Sequence, residues 1–123
     1  MDYELSTTYN ESGGCWDVCP SGEIDIFNAG DFKEKLIALV TERSADLKID
    51  CKRLEYLDST ALGALVAVLK TVKTNKKDIY LSNLKPHIYK LFKITNLEKA
   101  FIISPSDKSK TTASEESAAG DSR

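Results

Sequence analysis

The chemistry of this chain centres on Asp58-Ser59-Thr60, an acid followed by two hydroxyls, set just ahead of the apolar run Ala61-Leu62-Gly63-Ala64-Leu65-Val66-Ala67-Val68-Leu69. An acidic or hydroxyl residue before an apolar helix has a plain structural use. Its oxygen accepts the orphan N–H groups of the first turn. The same position has a second use. A helix start carries positive partial charge and free donors, and a phosphate on Ser59 would be well received there. It would add about −1.5 to −2 charge at neutral pH, beside Asp58, and would repel any partner docked with apolar or acidic groups. Cap and switch are both open on this pattern alone.

Other reactive residues give weaker signals. The three cysteines are Cys15, Cys19 and Cys51, and the one histidine is His87. Three residues separate Cys15 from Cys19, which is the spacing of neither a zinc knuckle nor a redox pair. The thiols therefore read as small hydrophobes of a reduced core, and no metal site is expected. His87 has no nucleophile in its sequence context to serve as base for. No phosphate-cradling glycine loop is present, so intrinsic nucleotide binding has no motif and no cofactor is expected. Lys70, Lys73, Lys76 and Lys77 suit the negative end of a helix.

The elements that must position Ser59 follow from periodicity. Residues 3–9 alternate as a strand, with a turn at Glu11-Ser12-Gly13-Gly14 and a hairpin partner at Cys15–Cys19. Pro20-Ser21-Gly22 punctuates, and Glu23–Ile26 is a separate short extended piece. Asn28 is placed to cap a helix carrying Phe32, Leu36, Leu39 and Val40, which ends near Ser44. Residues 47–51 alternate as a strand, and 54–58 read as a loop. A helix from Ser59 to about Asn75 has the stripe Leu62, Leu65, Val66, Leu69 and Val72. A strand at 79–81, a helix opened by Pro86 and a closing strand near 100–103 complete the order. Strands alternating with helices predict an α/β fold, a mixed, largely parallel sheet whose sites lie in the loops that precede helices.

Thr60, Gly63, Ala64, Ala67 and Thr71 share one face of the Ser59 helix. Small side chains let a second backbone approach closely. The face is read equally as a docking surface or as packing against a helix of the same chain.

The 123 residues make one domain, with 17 basic and 19 acidic side chains for a net charge of −2. That balance excludes the basic footprint of a nucleic-acid binder. The nine apolar residues at 61–69 fall far short of the ~20 needed to span a bilayer. No secretory signal is visible, so a cytoplasmic protein is expected. Residues 104–123 contain no Val, Ile, Leu, Met or aromatic side chain. The folded domain is expected over 1–103, with a disordered tail over 104–123.

Four stretches, taken in order, resemble one family. Leu57-Asp58-Ser59-Thr60-Ala61-Leu62-Gly63 is similar to the D-S-[ST]-G-L-G signature of STAS-domain anti-sigma factor antagonists. Ser21-Gly22-Glu23-Ile24-Asp25 resembles the family's G-E-[LI]-D, and Ser82-Asn83-Leu84-Lys85-Pro86 its strand-to-helix turn. Leu91 to Phe101 resembles its closing L-x-x-T-G-L-x-x-x-F. The resemblance covers roughly residues 3–103. It implies a single STAS-like domain with a sheet of four or five strands and helices largely on one side. It implies a non-enzymatic protein that binds an anti-sigma factor, itself a GHKL-type serine kinase, and so frees a sigma factor. Ser59 matches the serine whose phosphorylation ends binding, and a metal-dependent phosphatase of the PP2C type restores it. Asp25 matches the family's loop acid and would lie near Ser59. Asp25, Asp58, Ser59, Thr60, Gly63, Ala64 and Ala67 are the expected contact residues, on a monomer or weak dimer. The alternative is an unphosphorylated STAS subunit of a membrane transport or signalling assembly. Two positions depart from the pattern, Ala61 and Asn96, where the family has Gly. Ala is harmless if the dihedrals there are helical, and Asn tolerates the left-handed turn.

Overall fold

The sheet grows outward from its longest strand. In the computed structural model, which describes residues 2–104, β1 (Tyr3–Asn10) and β2 (Cys15–Ile24) form an antiparallel hairpin paired from Tyr3↔Gly22 to Asn10↔Cys15. The second edge of β2 is shared by two parallel neighbours in succession. Cys15–Val18 pairs with β3 (Asp46–Asp50), and Gly22–Ile24 with β4 (Leu54–Leu57). Beyond β3 lie β5 (Ile79–Ser82) and the two-residue β6 (Ile102–Ile103), both parallel. The helices are α1 (Ala29–Glu42), α2 (Ser59–Lys73) and α3 (Pro86–Ile94).

This is the expected single α/β domain with a mixed sheet. Its sheet has six strands where four or five were expected; β6 is the expected closing strand, and β4 falls where a loop was expected. The expected tail at 104–123 lies, apart from Ser104, outside the described residues.

One face of the sheet is buried and the other is open. Leu47 and Ile49 of β3 and Ile79 and Leu81 of β5 are buried, while Lys48 is exposed and Tyr80 half-buried. The buried set joins Phe32, Leu36 and Val40 of α1, Leu62, Leu65, Val68 and Val72 of α2, and Ile88 and Phe92 of α3 in one core. All three helices therefore cover the same face. In the α2 stripe Val68 is fully buried, where Val66 was expected and is only half-buried. The uncovered face presents Ser6, Thr8, Asp17, Lys48, Asp50 and Ser82 around a shallow depression.

Two sequence expectations fail here for identifiable reasons. The Pro20-Ser21-Gly22 stretch does not end a strand. Pro20 keeps its place opposite Leu5 and falls between the β3 and β4 pairings, where β2 has no partner on its second edge. A strand tolerates a missing N–H at such a gap. Residues 54–57 form β4 rather than a loop. Only Leu54 and Leu57 of its four residues are buried, so no alternation betrays it.

Gly22 makes the β2–β4 junction possible. It lies at φ +89, at a shift of register between Gly22 and Glu23, and a Cβ there would sit 2.3 Å from the Asp2 carbonyl oxygen. Past it the register aligns Ile24 with Leu57. The next residues, Asp25 and Asp58, therefore leave the sheet side by side at the carboxyl ends of two parallel strands. Asn96 ends α3 at φ +59, so it adopts the left-handed turn expected of it.

Candidate functional site

The β4–α2 junction resolves the choice of cap. Asp58, not Ser59, occupies the N-cap, and its Oδ1 accepts the Ala61 N–H at 2.8 Å. Its carbonyl oxygen accepts the first helical bond from Leu62 at 2.9 Å. Ser59 is the first residue of α2 and is exposed, and its hydroxyl forms no hydrogen bond among the described residues. Because Asp58 does the capping, the Ser59 hydroxyl remains free for chemistry.

Asp58 also reaches sideways. Its N–H donates to the Ile24 carbonyl at 3.2 Å, and its Oδ2 accepts the Ile26 N–H at 3.0 Å. One carboxylate thus joins the start of α2 to the β2–α1 loop. That loop is a compact turn built on Asp25, which is 7% exposed. The Asp25 Oδ1 accepts the Phe27 N–H at 2.9 Å, and its carbonyl accepts the N–H groups of Asn28 and Ala29 at 3.2 and 2.8 Å.

Asn28 corrects a further expectation. Its side chain does not cap α1. Its Oδ1 instead accepts the Asp25 N–H at 2.8 Å, and its Nδ2 donates to the Glu23 carbonyl at 2.9 Å. An Asx residue competes for nearby backbone groups, and here the turn before the helix wins over the helix end.

The expected contact residues are distributed as follows. Asp25 and Asp58 follow the carboxyl ends of the paired strands β2 and β4, and Ser59 comes next after Asp58. Thr60 and Gly63 are exposed on α2, and Ala64 and Ala67 are half-buried behind them. A Cβ on Gly63 would meet open space. The front of the small-residue face is therefore free, while α1 and α2 pack together over part of their length. Ala61 lies within the helix and is 0% exposed. Its methyl group belongs to the core and takes no room from a docked molecule. Elsewhere, His87 Nε2 lies 2.8 Å from the Glu55 carbonyl. Cys51 is buried, and burial pushes its thiol up to about 12, so it stays protonated and unreactive at neutral pH. Among the described residues no three His, Cys, Asp or Glu side chains gather as a metal site would require.

Sequence reasoning missed the most exposed apolar pair of the site. Ile26 is 62% and Phe27 89% exposed, at the tip of the turn that Asp25 and Asp58 hold. Ile26 was expected in a strand. The available signal was two apolar residues between a strand's last buried position and a helix's first, with no periodicity to bury them.

The profile of the STAS domain matches residues 7–118. The chain belongs to the STAS-domain family. The anti-sigma-B factor antagonist of Bacillus subtilis (strain 168) is 42% identical over 84 residues, covering 68% of this chain and 76% of that one. Among solved structures, an anti-sigma factor antagonist from Mycobacterium paratuberculosis superposes with a TM-score of 0.70 at 25% identity, over 89% of this STAS domain and 93% of that chain. SpoIIAA of Bacillus in its phosphorylated form superposes at 0.62 and 16% identity, over 85% and 92% of the two chains, a likeness of fold. No helix among the described residues of this STAS domain is long and apolar enough to cross a membrane.

Proposed function

We propose that this STAS domain is a cytoplasmic anti-sigma factor antagonist. Its unmodified form binds an anti-sigma factor that is also a GHKL-type serine kinase, and that binding releases the sigma factor. The observation that carries the reading is the free, exposed Ser59 hydroxyl, standing first on α2 beside a cap that Asp58 supplies. The 42% identity to an anti-sigma-B factor antagonist supports the same role.

The switch requires one phosphoryl transfer. The Ser59 Oγ attacks the γ-phosphorus of the kinase's ATP, loses its proton, and ADP departs. The kinase supplies the catalytic groups, and this domain supplies a nucleophile at a helix start whose free donors favour the anionic product. The new dianion lies beside the Asp58 carboxylate and on the face shared with Thr60 and Gly63. A partner fitted to the neutral surface then meets two excess negative charges. A PP2C-type phosphatase hydrolyses the ester and returns the domain to its binding form.

The role is tested by competition. The unmodified protein, titrated into a preformed complex of the organism's sigma factor and its anti-sigma kinase, is expected to free the sigma factor at near-equimolar ratio. Retention of the sigma factor with every anti-sigma kinase of the organism would count against the role and favour a subunit of a larger assembly.

A further inference from the structure

We propose that β1 is the edge through which two copies of this chain associate. A second copy adds its own β1 antiparallel across a two-fold axis, and the two sheets become one. The inference is independent of the antagonist reading.

Three observations carry it. First, β1 is an edge strand with no neighbour on its outer side among the described residues. It is eight residues long, and its pairing with β2 runs without a break from Tyr3 to Asn10. Proteins blunt such edges with proline, lysine, a bulge or a very short strand. The opposite edge of this sheet follows that rule, since β6 has two residues. β1 has no proline, no lysine and no bulge.

Second, the outward backbone groups are assigned by the ladder. The Glu23 N–H donates to the Asp2 carbonyl at 3.0 Å, while the Gly22 N–H turns the other way, to the Arg53 carbonyl at 3.1 Å. Pro20, which has no N–H, stands opposite Leu5. Bonded and unbonded pairs alternate along an antiparallel ladder, so β2 bonds the even-numbered residues of β1. The N–H and C=O groups of Tyr3, Leu5, Thr7 and Tyr9 therefore point away from the sheet. One register satisfies all of them with a second copy. It sets Tyr3 opposite Tyr9 and Leu5 opposite Thr7, with Ser6 meeting Ser6 on the axis. A slip of two residues either way leaves one end of each strand unpaired.

Third, the side chains suit that register. Tyr3, Leu5 and Tyr9 are half-buried at the rim of the core, and cross-strand pairing covers their remaining apolar surface. The charges beside the two rings are already balanced. Lys35 pairs with Asp31 at 3.2 Å next to Tyr3, and Arg43, stacked on Tyr9, pairs with Glu11 at 3.3 Å. The single charge on β1, Glu4, falls opposite Thr8 of the second copy, so no like charges face each other. β4, which delivers Ser59, pairs with the other edge of β2, and association leaves both Ser59 sites uncovered.

The test is sedimentation equilibrium of the full chain over a concentration series. The parent is expected to approach twice its monomer mass as concentration rises. Thr7→Pro removes one outward N–H and no bond to β2, and is expected to associate at least tenfold more weakly. Ser6→Glu and Ser6→Lys each set like charges against one another on the axis, and each is expected to weaken association several-fold at low salt. Ser6 is exposed, so these variants keep the fold. An equimolar mixture of the two is expected to restore association, because Glu then meets Lys. A parent that stays monomeric at its highest soluble concentration overturns the proposal and leaves the edge to a strand of another protein. Parent-like association by a Thr7→Pro protein that melts as the parent does also overturns it, since the copies then meet elsewhere. Weakening by both Ser6 variants without rescue in the mixture overturns the two-fold register.

Discussion

Phosphoserine at position 59 is expected to weaken the complex with the anti-sigma kinase by at least a hundredfold, while Ser59→Ala binds as tightly as the unmodified protein. The magnitude follows from the charge and its place. Two unit charges 4 Å apart interact with about 1 kcal/mol in water and about 4 kcal/mol near a protein surface, and a phosphate carries nearly two. Like charges brought together at an interface cost several kcal/mol, and a hundredfold is about 2.7 kcal/mol. Ser59→Ala removes only a hydroxyl that forms no hydrogen bond among the described residues, and it leaves the Asp58 cap in place. Ser59→Asp is expected to fall between the two, since one carboxylate supplies about half the charge at shorter reach. Titration calorimetry of the four proteins against the kinase checks the order. A phosphoserine form that binds within threefold of the unmodified protein would remove the electrostatic account.

Gly22→Ala is expected to destabilise the domain by about 2–4 kcal/mol. Two effects add. The residue holds φ +89, a conformation an L side chain rarely adopts, and its Cβ would sit 2.3 Å from a backbone oxygen that cannot swing away. The obstacle is the Asp2 carbonyl, which also accepts the Glu23 N–H at 3.0 Å. Relief of the clash must therefore move the start of β1 or the end of β2. For a domain of this size the melting temperature should fall on the order of 10 °C or more. Gly30→Ala is the control, because its Cβ meets open space within α1. It should leave stability unchanged or raise it by a few tenths of a kcal/mol. Thermal unfolding followed by circular dichroism separates the two, and equal melting of Gly22→Ala and the parent would show that the junction relaxes freely. Because Gly22 sets the register that aligns Ile24 with Leu57, the same variant should also bind the kinase more weakly while still folded at low temperature.

Where periodicity was long, the sequence could be read directly. The α2 stripe and the alternation of β3 lie where one face is buried and the other wet, so the hydrophobic pattern carries the answer, while the exposed turn at Glu11–Gly14 is marked by its two glycines. Where an element is short the pattern carries nothing. β4 has four residues, and its strand character comes from pairing with the end of β2, a contact between positions some thirty residues apart. Pro20 and Gly22 misled for a related reason. Both are breakers by local rule, and both are tolerated because β2 changes partner between them. The site was half legible. An acid and two hydroxyls before an apolar run announce a helix start, yet only the structure shows Asp58 taking the cap and leaving Ser59 free. Asn28 had the right type for a cap, but its side chain is spent on the Asp25 turn. Ile26 and Phe27 were passed over because exposure is a property of the folded surface, and an apolar residue in a short loop looks the same whether it is covered or not.

The central claim is that Ser59 is the acceptor that switches binding off. The most direct measurement is intact mass after incubation with ATP and the organism's anti-sigma kinases, comparing the unmodified protein with Ser59→Ala. The account predicts one added phosphoryl group on the unmodified protein and none on the variant. Addition to both proteins alike, or to neither with any of the kinases, would contradict it and return Asp58-Ser59 to the role of a helix start.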